Sequence, residues 1–301
     1  MSILVDERTR ILVQGITGSV GRVDTRLCLD YGSRIVAGVT PGRGGESVSG
    51  VPVFDTVAEA VDRTGAGAAV QYVPARHAAE AVVEAASSGL SPIVAIAENL
   101  PRQDAWRAAV AARKAGSVLI GFNTNGIISP GKTKLGGIGG PRPDDLFRPG
   151  TVGVCSRSGG MSAEIALSLA RAGSGVSTCV SMGGESITGR TMAEYARWFE
   201  ADDATHSIVV FGEPGSEHEA GLATAMEGGA VTKPVVALIV GEFQDAYPAG
   251  SSFGHLSAMV RLDTDRAVVK RDMLAAAGAL IAERVEDIPD LVRVGTGMEA
   301  K

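Results

Sequence analysis

The chain has 301 residues, of which 45% are apolar and only 4% aromatic, with 40 glycines and a formal net charge of −6. That length suits two ordinary domains, and an acidic balance with no basic run excludes nucleic acid as the main partner. Small anionic ligands stay open, because local backbone amides bind them whatever the net charge.

The first ten residues, MSILVDERTR, alternate acid and base around no apolar core, so no signal peptide is expected. The longest apolar runs, such as residues 235–240, are strand-sized and too short to span a membrane. Cys28, Cys155 and Cys179 are widely spaced and form no C-x-x-C. They read as reduced thiols of a cytoplasmic protein, with no metal-ligand spacing.

Strand-like runs at residues 11–14, 35–39, 69–73, 93–96 and 118–121 alternate with helix-period runs such as 77–88 and 103–115. This alternation predicts an α/β fold with a parallel, doubly wound sheet. The first strand runs into a turn, ILVQGITGSVGR, with Gly15, Gly18 and Gly21 in a G-x-x-G-x-x-G spacing. Such a loop brings backbone N–H groups and a helix N-terminus to a phosphate; the competing reading is a tight turn that binds nothing. A plain NAD site would carry an acidic residue at the tip of the second strand. Here that tip reads VAGVTPGRGG and carries Arg43 instead. A cation there suits an extra phosphate, the 3′-phosphate of coenzyme A or the 2′-phosphate of NADP. The segments YVPARHA and IAENLP close the third and fourth strands at the carboxyl edge, where ligands of open α/β sheets bind. Pro74 or Glu98 taken singly reads as an ordinary strand exit.

The pattern breaks over residues 124–150, which are rich in Gly and Pro and aperiodic. The expected organisation is a domain over residues 1–125, a linker over 126–150 and a second α/β domain over 151–301. In the second half, strands are expected at 152–155, 177–182, 208–211, 235–240 and 280–282, with helices at 163–172, 192–200, 217–226 and 267–277. Three loops at strand ends stand out. CSRSGGMSAE sets Ser158, Gly159 and Gly160 at a helix N-terminus, a site for phosphate or carboxylate. SMGGESITG is a second glycine loop. FGEPGSE puts Glu213 at a strand tip.

After the strand at 235–240 comes AGSSFGHLSAM, a small-residued loop around His255. Parallel β/α units gather such loops on one edge, which predicts an imidazole beside a carboxylate and facing a helix N-terminus. A carboxylate that accepts one imidazole N–H leaves the other nitrogen free as a nucleophile. A helix N-terminus opposite stabilises a phosphoryl group once attached. The chemistry implied is a phosphohistidine, with Glu213 preferred over Glu242 and Glu185 as the orienting acid. His77, His206 and His218 read as ordinary loop or helix-end histidines.

In order along residues 8–290, GITGSVG, YGSRIVAGVTPGRGG, GVPVFDTVAEA, YVPA, ISPGK, SRSGG, GGESITG, GEPGS, TKPVVA and GH resemble the α subunits of succinyl-CoA synthetases and the related region of ATP-citrate lyase. The resemblance implies a CoA-binding Rossmann-like domain followed by a flavodoxin-like ligase domain. It places the phosphohistidine on His255 and its orienting glutamate on Glu213. It places coenzyme A on Gly15, Thr17, Gly18, Ser19, Val20, Arg43, Tyr72, Val73, Pro74, Ile96 and Glu98. It implies a separate ATP-grasp β subunit that binds Mg-ATP or Mg-GTP and phosphorylates the histidine, hence a hetero-oligomer. The loop of Ser158, Gly159, Gly160, Met161 and Ser162 is expected to bind the small carboxylic acid substrate. Gly160 stands where the succinate enzymes carry threonine, and SRSGGMS after KLGGIGG resembles the citrate-lyase branch, so the acid is expected among citrate-like compounds, malate and succinate. Two other classes stay open: an NADP-dependent oxidoreductase using the first glycine loop and Arg43, and a CoA-binding regulatory protein without catalysis.

Overall fold

The structure is a computed structural model, and it describes residues 2–253 and 256–297. The chain forms two compact units. One holds residues 2–144 together with 181–190; the other holds 145–180 together with the rest of the chain from 191.

The first unit runs β1 (Arg10–Gln14), α1 (Ser19–Asp30), β2 (Arg34–Val39), β3 (Ser47–Val48), β4 (Val51–Phe54), α2 (Val57–Thr64), β5 (Ala68–Gln71), α3 (Ala75–Ser87), β6 (Ile93–Ala95), α4 (Arg102–Lys114) and β7 (Leu119–Gly121). Its strands stand in the order β3-β4-β2-β1-β5-β6-β7. All are parallel except the β3–β4 hairpin, which the sequence patterning left unassigned. Central β1 is flanked by β2 and β5 and is buried from Ile11 to Gln14. Burial on both faces is why these strands read as unbroken apolar runs rather than alternating ones.

Residues 126–150 are not the linker that the sequence suggested. They carry the antiparallel hairpin β8 (Ile127–Ser129) with β9 (Thr133–Leu135), then the short helix α5 (Pro143–Leu146). Both strands of the hairpin are entirely buried. Lys134 within it is fully enclosed, and its Nζ donates to the carbonyls of Ile138 at 3.2 Å and Gly140 at 2.9 Å. One ammonium thereby folds the glycine run 136–140 back on itself, which polarity and aperiodicity in the sequence concealed.

The second unit comprises β10 (Pro149–Ser156), α6 (Gly159–Arg171), β11 (Val176–Ser181), α7 (Met192–Glu200), β12 (Ser207–Gly212), α8 (His218–Glu227), β13 (Val235–Ile239), α9 (Ala267–Ala276), β14 (Leu280–Ala282) and α10 (Ile288–Gly295). Its parallel core stands in the order β14-β13-β12-β10-β11. Among the described residues of the long connection from β13 to α9 there are 3-10 turns at Glu242–Ala246, Leu256–Ala258 and Asp263–Asp265. α7 starts on a capping box: Glu194 N donates to Thr191 Oγ1 at 3.3 Å and Thr191 N to Glu194 Oε2 at 2.9 Å.

The glycine loop after β11 belongs to the first unit rather than to the edge of the second. Gly121 N donates to Met182 O at 3.1 Å, Gly189 N to Gly121 O at 2.9 Å, and Asn99 N to Glu185 Oε1 at 2.8 Å. Gly183, at φ +113°, lies so close to the carbonyl of Phe122 that a side chain has no room. All three cysteines are buried. Burial pushes the Cys28 thiol up to about 11, the Cys179 thiol up to about 12, and the Cys155 thiol higher still.

Candidate functional site

The first unit opens a cavity of about 620 Å³ at the carboxyl ends of β1, β2 and β5. Gly15, Thr17, Gly18, Tyr72, Val73 and Pro74 line it, joined by Thr40 and Pro41 after β2 and by Gln14, His77, Ala81 and Glu84. The glycines have separate reasons. Gly15, at φ +76°, lies against the carbonyl of Tyr72, and Gly21 lies against the carbonyl of Gly15, so neither tolerates a Cβ. Gly18 is the N-cap of α1, with no side-chain cap and no acidic residue in the first turn. The first turn of α1 thus keeps its N–H groups and its dipole for an anion. This cradle, made of backbone that approaches too closely for side chains, fits the pyrophosphate of a nucleotide such as coenzyme A.

Of the other expected cofactor residues, Ser19 and Val20 open α1 just outside the lining, and Ile96 and Glu98, which follow β6, are outside the lining too. Arg43 is also outside. Its Nη2 donates to Glu46 Oε2 at 2.7 Å, a pair in which both side chains are substantially exposed. A solvated pair of this kind contributes little, so Arg43 can exchange Glu46 for a phosphate. His77, set aside in the sequence, is a wall residue.

The second unit gathers charge at the ends of β10 and β12, which lie side by side with Ser156 opposite Phe211. Ser158 caps α6: its Oγ accepts from Met161 N at 3.3 Å. The Ser162 hydroxyl donates to Ser158 O at 2.9 Å and is fully buried, so it secures the turn instead of serving as a donor to ligand. Gly159 is half-buried and Gly160 exposed. A Cβ at Gly160 would meet only Ser158 Oγ, at 3.9 Å, so this position faces open space.

Glu213 directly follows β12 and is buried. Its Oε1 accepts from Arg157 Nε at 3.0 Å, and Arg157 is itself buried after β10. Glu185 and Glu242, the lesser candidates, are engaged elsewhere, with Asn99 and Arg271 respectively. The turn after Glu213 is held from two sides. Gly241, at φ +96°, packs on the ring of Pro214, where an added Cβ would stand 2.6 Å from Cδ. Gly215, at φ +82°, packs on the chain at 257–259, where a Cβ would stand 2.6 Å from Ser257 O and 2.7 Å from Met259 O. His255 lies outside the described residues; the segment that follows it is fixed against the turn that carries Glu213.

Sequence reasoning passed over Lys270 and read His218 as an ordinary helix-end histidine. Lys270 is enclosed, and its Nζ donates to Glu213 O and Glu219 Oε2, both at 2.8 Å. The spacing contained the signal: Ala267, Lys270 and Leu274 form the buried stripe of α9. His218 opens α8, and burial together with the Arg157 charge lowers it from the ordinary 6.5 to about 4. That shift sets it apart from the ordinary helix-end histidine expected from its position.

Known proteins match this architecture along its length. Residues 6–99 match the CoA binding domain family and residues 149–294 the succinyl-CoA ligase like flavodoxin domain family. The α subunit 2 of the ADP-forming succinate–CoA ligase of Archaeoglobus fulgidus is 44% identical over 292 residues, covering 97% of this chain and 99% of the relative. The chain belongs to the succinate–CoA ligase α-subunit family. Its members differ in acid: the α subunit of malate–CoA ligase from Methylorubrum extorquens is 39% identical, covering 94% of each chain. Among solved structures, ATP citrate lyase from Methanothrix soehngenii in complex with citrate and coenzyme A superposes with a TM-score of 0.90 at 28% identity. That match takes in 98% of this chain, which spans only 51% of the lyase chain. An NADP-dependent oxidoreductase is not favoured, since it accounts for no part of residues 149–294. Among the described residues no helix is long and apolar enough to cross a membrane.

Proposed function

We propose that this chain is the α subunit of an ADP- or GDP-forming carboxylic acid–CoA ligase of the cytoplasm, phosphorylated on His255 by an ATP-grasp β subunit holding Mg-ATP or Mg-GTP. The observation that carries the reading is the packing of Gly215 on residues 257–259, which ties the Glu213 turn to the chain next to His255. Glu213 accepts one imidazole N–H and leaves the other nitrogen to take the phosphoryl group. The N-terminus of α6, capped by Ser158, stabilises the charge of the phosphorylated ring. The phosphoryl group then passes to an oxygen of the acid, which gives an acyl phosphate and returns the histidine. Bound coenzyme A supplies the thiol that takes the acyl group while phosphate leaves. Gly15, Thr17, Gly18 and Tyr72–Pro74, reading 72–74 along the chain, hold its phosphates and adenosine, with Arg43 turning from Glu46 to the 3′-phosphate.

The loop of Ser158, Gly159, Gly160 and Met161 binds the acid, and the open space at Gly160 favours a polycarboxylate larger than succinate. Malate- and citrate-handling proteins among the similar chains support that direction.

The test is co-expression with the β subunit and incubation with γ-labelled ATP. Acid-labile label on this chain, absent from His255→Asn, is the expected result. Label that persists in His255→Asn overturns the assignment. ADP release screened over C4 to C6 polycarboxylates identifies the acid, and a highest kcat/KM for succinate overturns the size argument.

A further inference from the structure

The ion pair between Lys270 and Glu219 lies directly beneath Glu213. Both side chains are sealed from solvent, at 1% and 0% exposure. Glu219 reaches this position only because the residue before Glu213 is glycine: a Cβ on Gly212 would collide with Glu219 Oε1. The ammonium donates three bonds, to Glu219 Oε2, to Ser216 Oγ at 3.4 Å and to the main-chain carbonyl of Glu213 itself. Ser216 in turn donates to Glu219 Oε2 at 3.1 Å. The whole turn 213–216 is thus wound around one nitrogen.

That nitrogen comes from α9, the helix that ends the long connection containing His255. The same connection touches the turn twice more, through Gly215 N on Asp265 O at 3.3 Å and through the packing of Gly215 on residues 257–259. A carboxylate that must accept from an imidazole has to be fixed relative to the loop that carries the ring, because a small displacement removes the hydrogen bond. Hydrophobic pairs of the same volume often replace buried ion pairs without loss of stability, but none could grip the Glu213 carbonyl.

We infer that Lys270 is a positioning residue for phosphoryl transfer, holding Glu213 by its main chain in register with the histidine loop. The inference rests on the role of Glu213 proposed above. The experiment uses the αβ complex and follows the initial rate of labelling from γ-labelled ATP, with CoA affinity measured in parallel. Lys270→Met alone strands the buried Glu219 charge, so it is compared with Lys270→Met/Glu219→Leu, in which the charge is gone and the turn refills. Retained far-UV circular dichroism establishes the fold of each variant. In the double variant the labelling rate is expected to fall at least tenfold with CoA affinity unchanged, and adding Glu213→Gln is expected to slow it no further, because both act on one hydrogen bond. A double variant that labels at the unmutated rate, or a triple variant whose losses multiply, overturns the role of Lys270. An unmutated rate for Glu213→Gln alone removes the role of Glu213 as well, and with it the reading on which Lys270 depends.

Discussion

The two edges proposed to meet ligands are built on opposite principles. The cavity of the first unit is shaped by backbone: Gly15 and Gly21 permit contacts between main-chain atoms that no side chain allows, and the Arg43–Glu46 pair stays outside the lining, exposed to solvent. The Glu213 turn of the second unit is shaped by enclosed charge, with Arg157 buried on the Glu213 carboxylate and the Lys270–Glu219 pair buried against its main chain. A backbone cradle needs no reorganisation to receive a phosphate and is sensitive to volume. A buried charge array fixes one geometry for chemistry and is sensitive to which charges are present.

The sharpest way to break the contrast is to add volume to the cradle. Gly15→Val places a branched side chain at positive φ against the Tyr72 carbonyl. It is expected to weaken CoA binding by about a hundredfold or more, roughly 2.7 kcal/mol, while labelling of His255 continues; calorimetric titration that finds full affinity rejects the cradle. A charge reversal at the margin has a smaller effect. Arg43→Glu is expected to weaken CoA binding by about tenfold by setting like charge against a phosphate, and equal affinity of the unmutated chain for CoA and 3′-dephospho-CoA removes Arg43 from that task.

The charged turn has its own signature in pH. His218 is held near 4 in the folded chain and titrates near 6.5 when unfolded, so between these values the unfolded state binds the extra proton. Stability is therefore expected to fall as pH drops through that window, by about 1 kcal/mol after allowing for the solvent that reaches the ring. The melting temperature of His218→Gln should follow pH less steeply over the same range; identical slopes exclude His218 as the source. The smallest effect is expected where the second unit has room. Gly160→Thr should lower kcat/KM for the larger acid about threefold relative to succinate, and an unchanged ratio denies this position a part in acid selection.

The contrast also explains what the sequence disclosed. The β/α alternation and the G-x-x-G-x-x-G turn were legible because both are local: apolar runs bounded by glycine have one simple reading. The place of Glu213, just after a strand, was legible because the strand is a local apolar run. Lys270 was not, since its partners lie 51 and 57 residues away and a lone lysine within a helix ordinarily points to water. The hairpin β8–β9 was missed for the same reason, because Lys134 and the glycines around it look like loop until the ammonium finds its two carbonyls. The loop expected over residues 181–189 is present after β11, which ends at Ser181, but its attachment to the first unit depends on contacts with Asn99 and Gly121 that no window of sequence contains. Ser162 looked like a ligand donor for want of knowing that Ser158 O was nearer.

The burial of the three cysteines has a consequence for the fate of the acyl group. A catalyst that works with activated carboxylates runs the risk of acylating itself, since sulfur competes with any thiol acceptor. Here Cys28, held up to about 11, is ionised to only about one part in ten thousand at neutral pH, and Cys155 and Cys179 less than that. With all three of its own thiols buried and protonated, the chain sets no cysteine in competition with the incoming thiol of the cofactor.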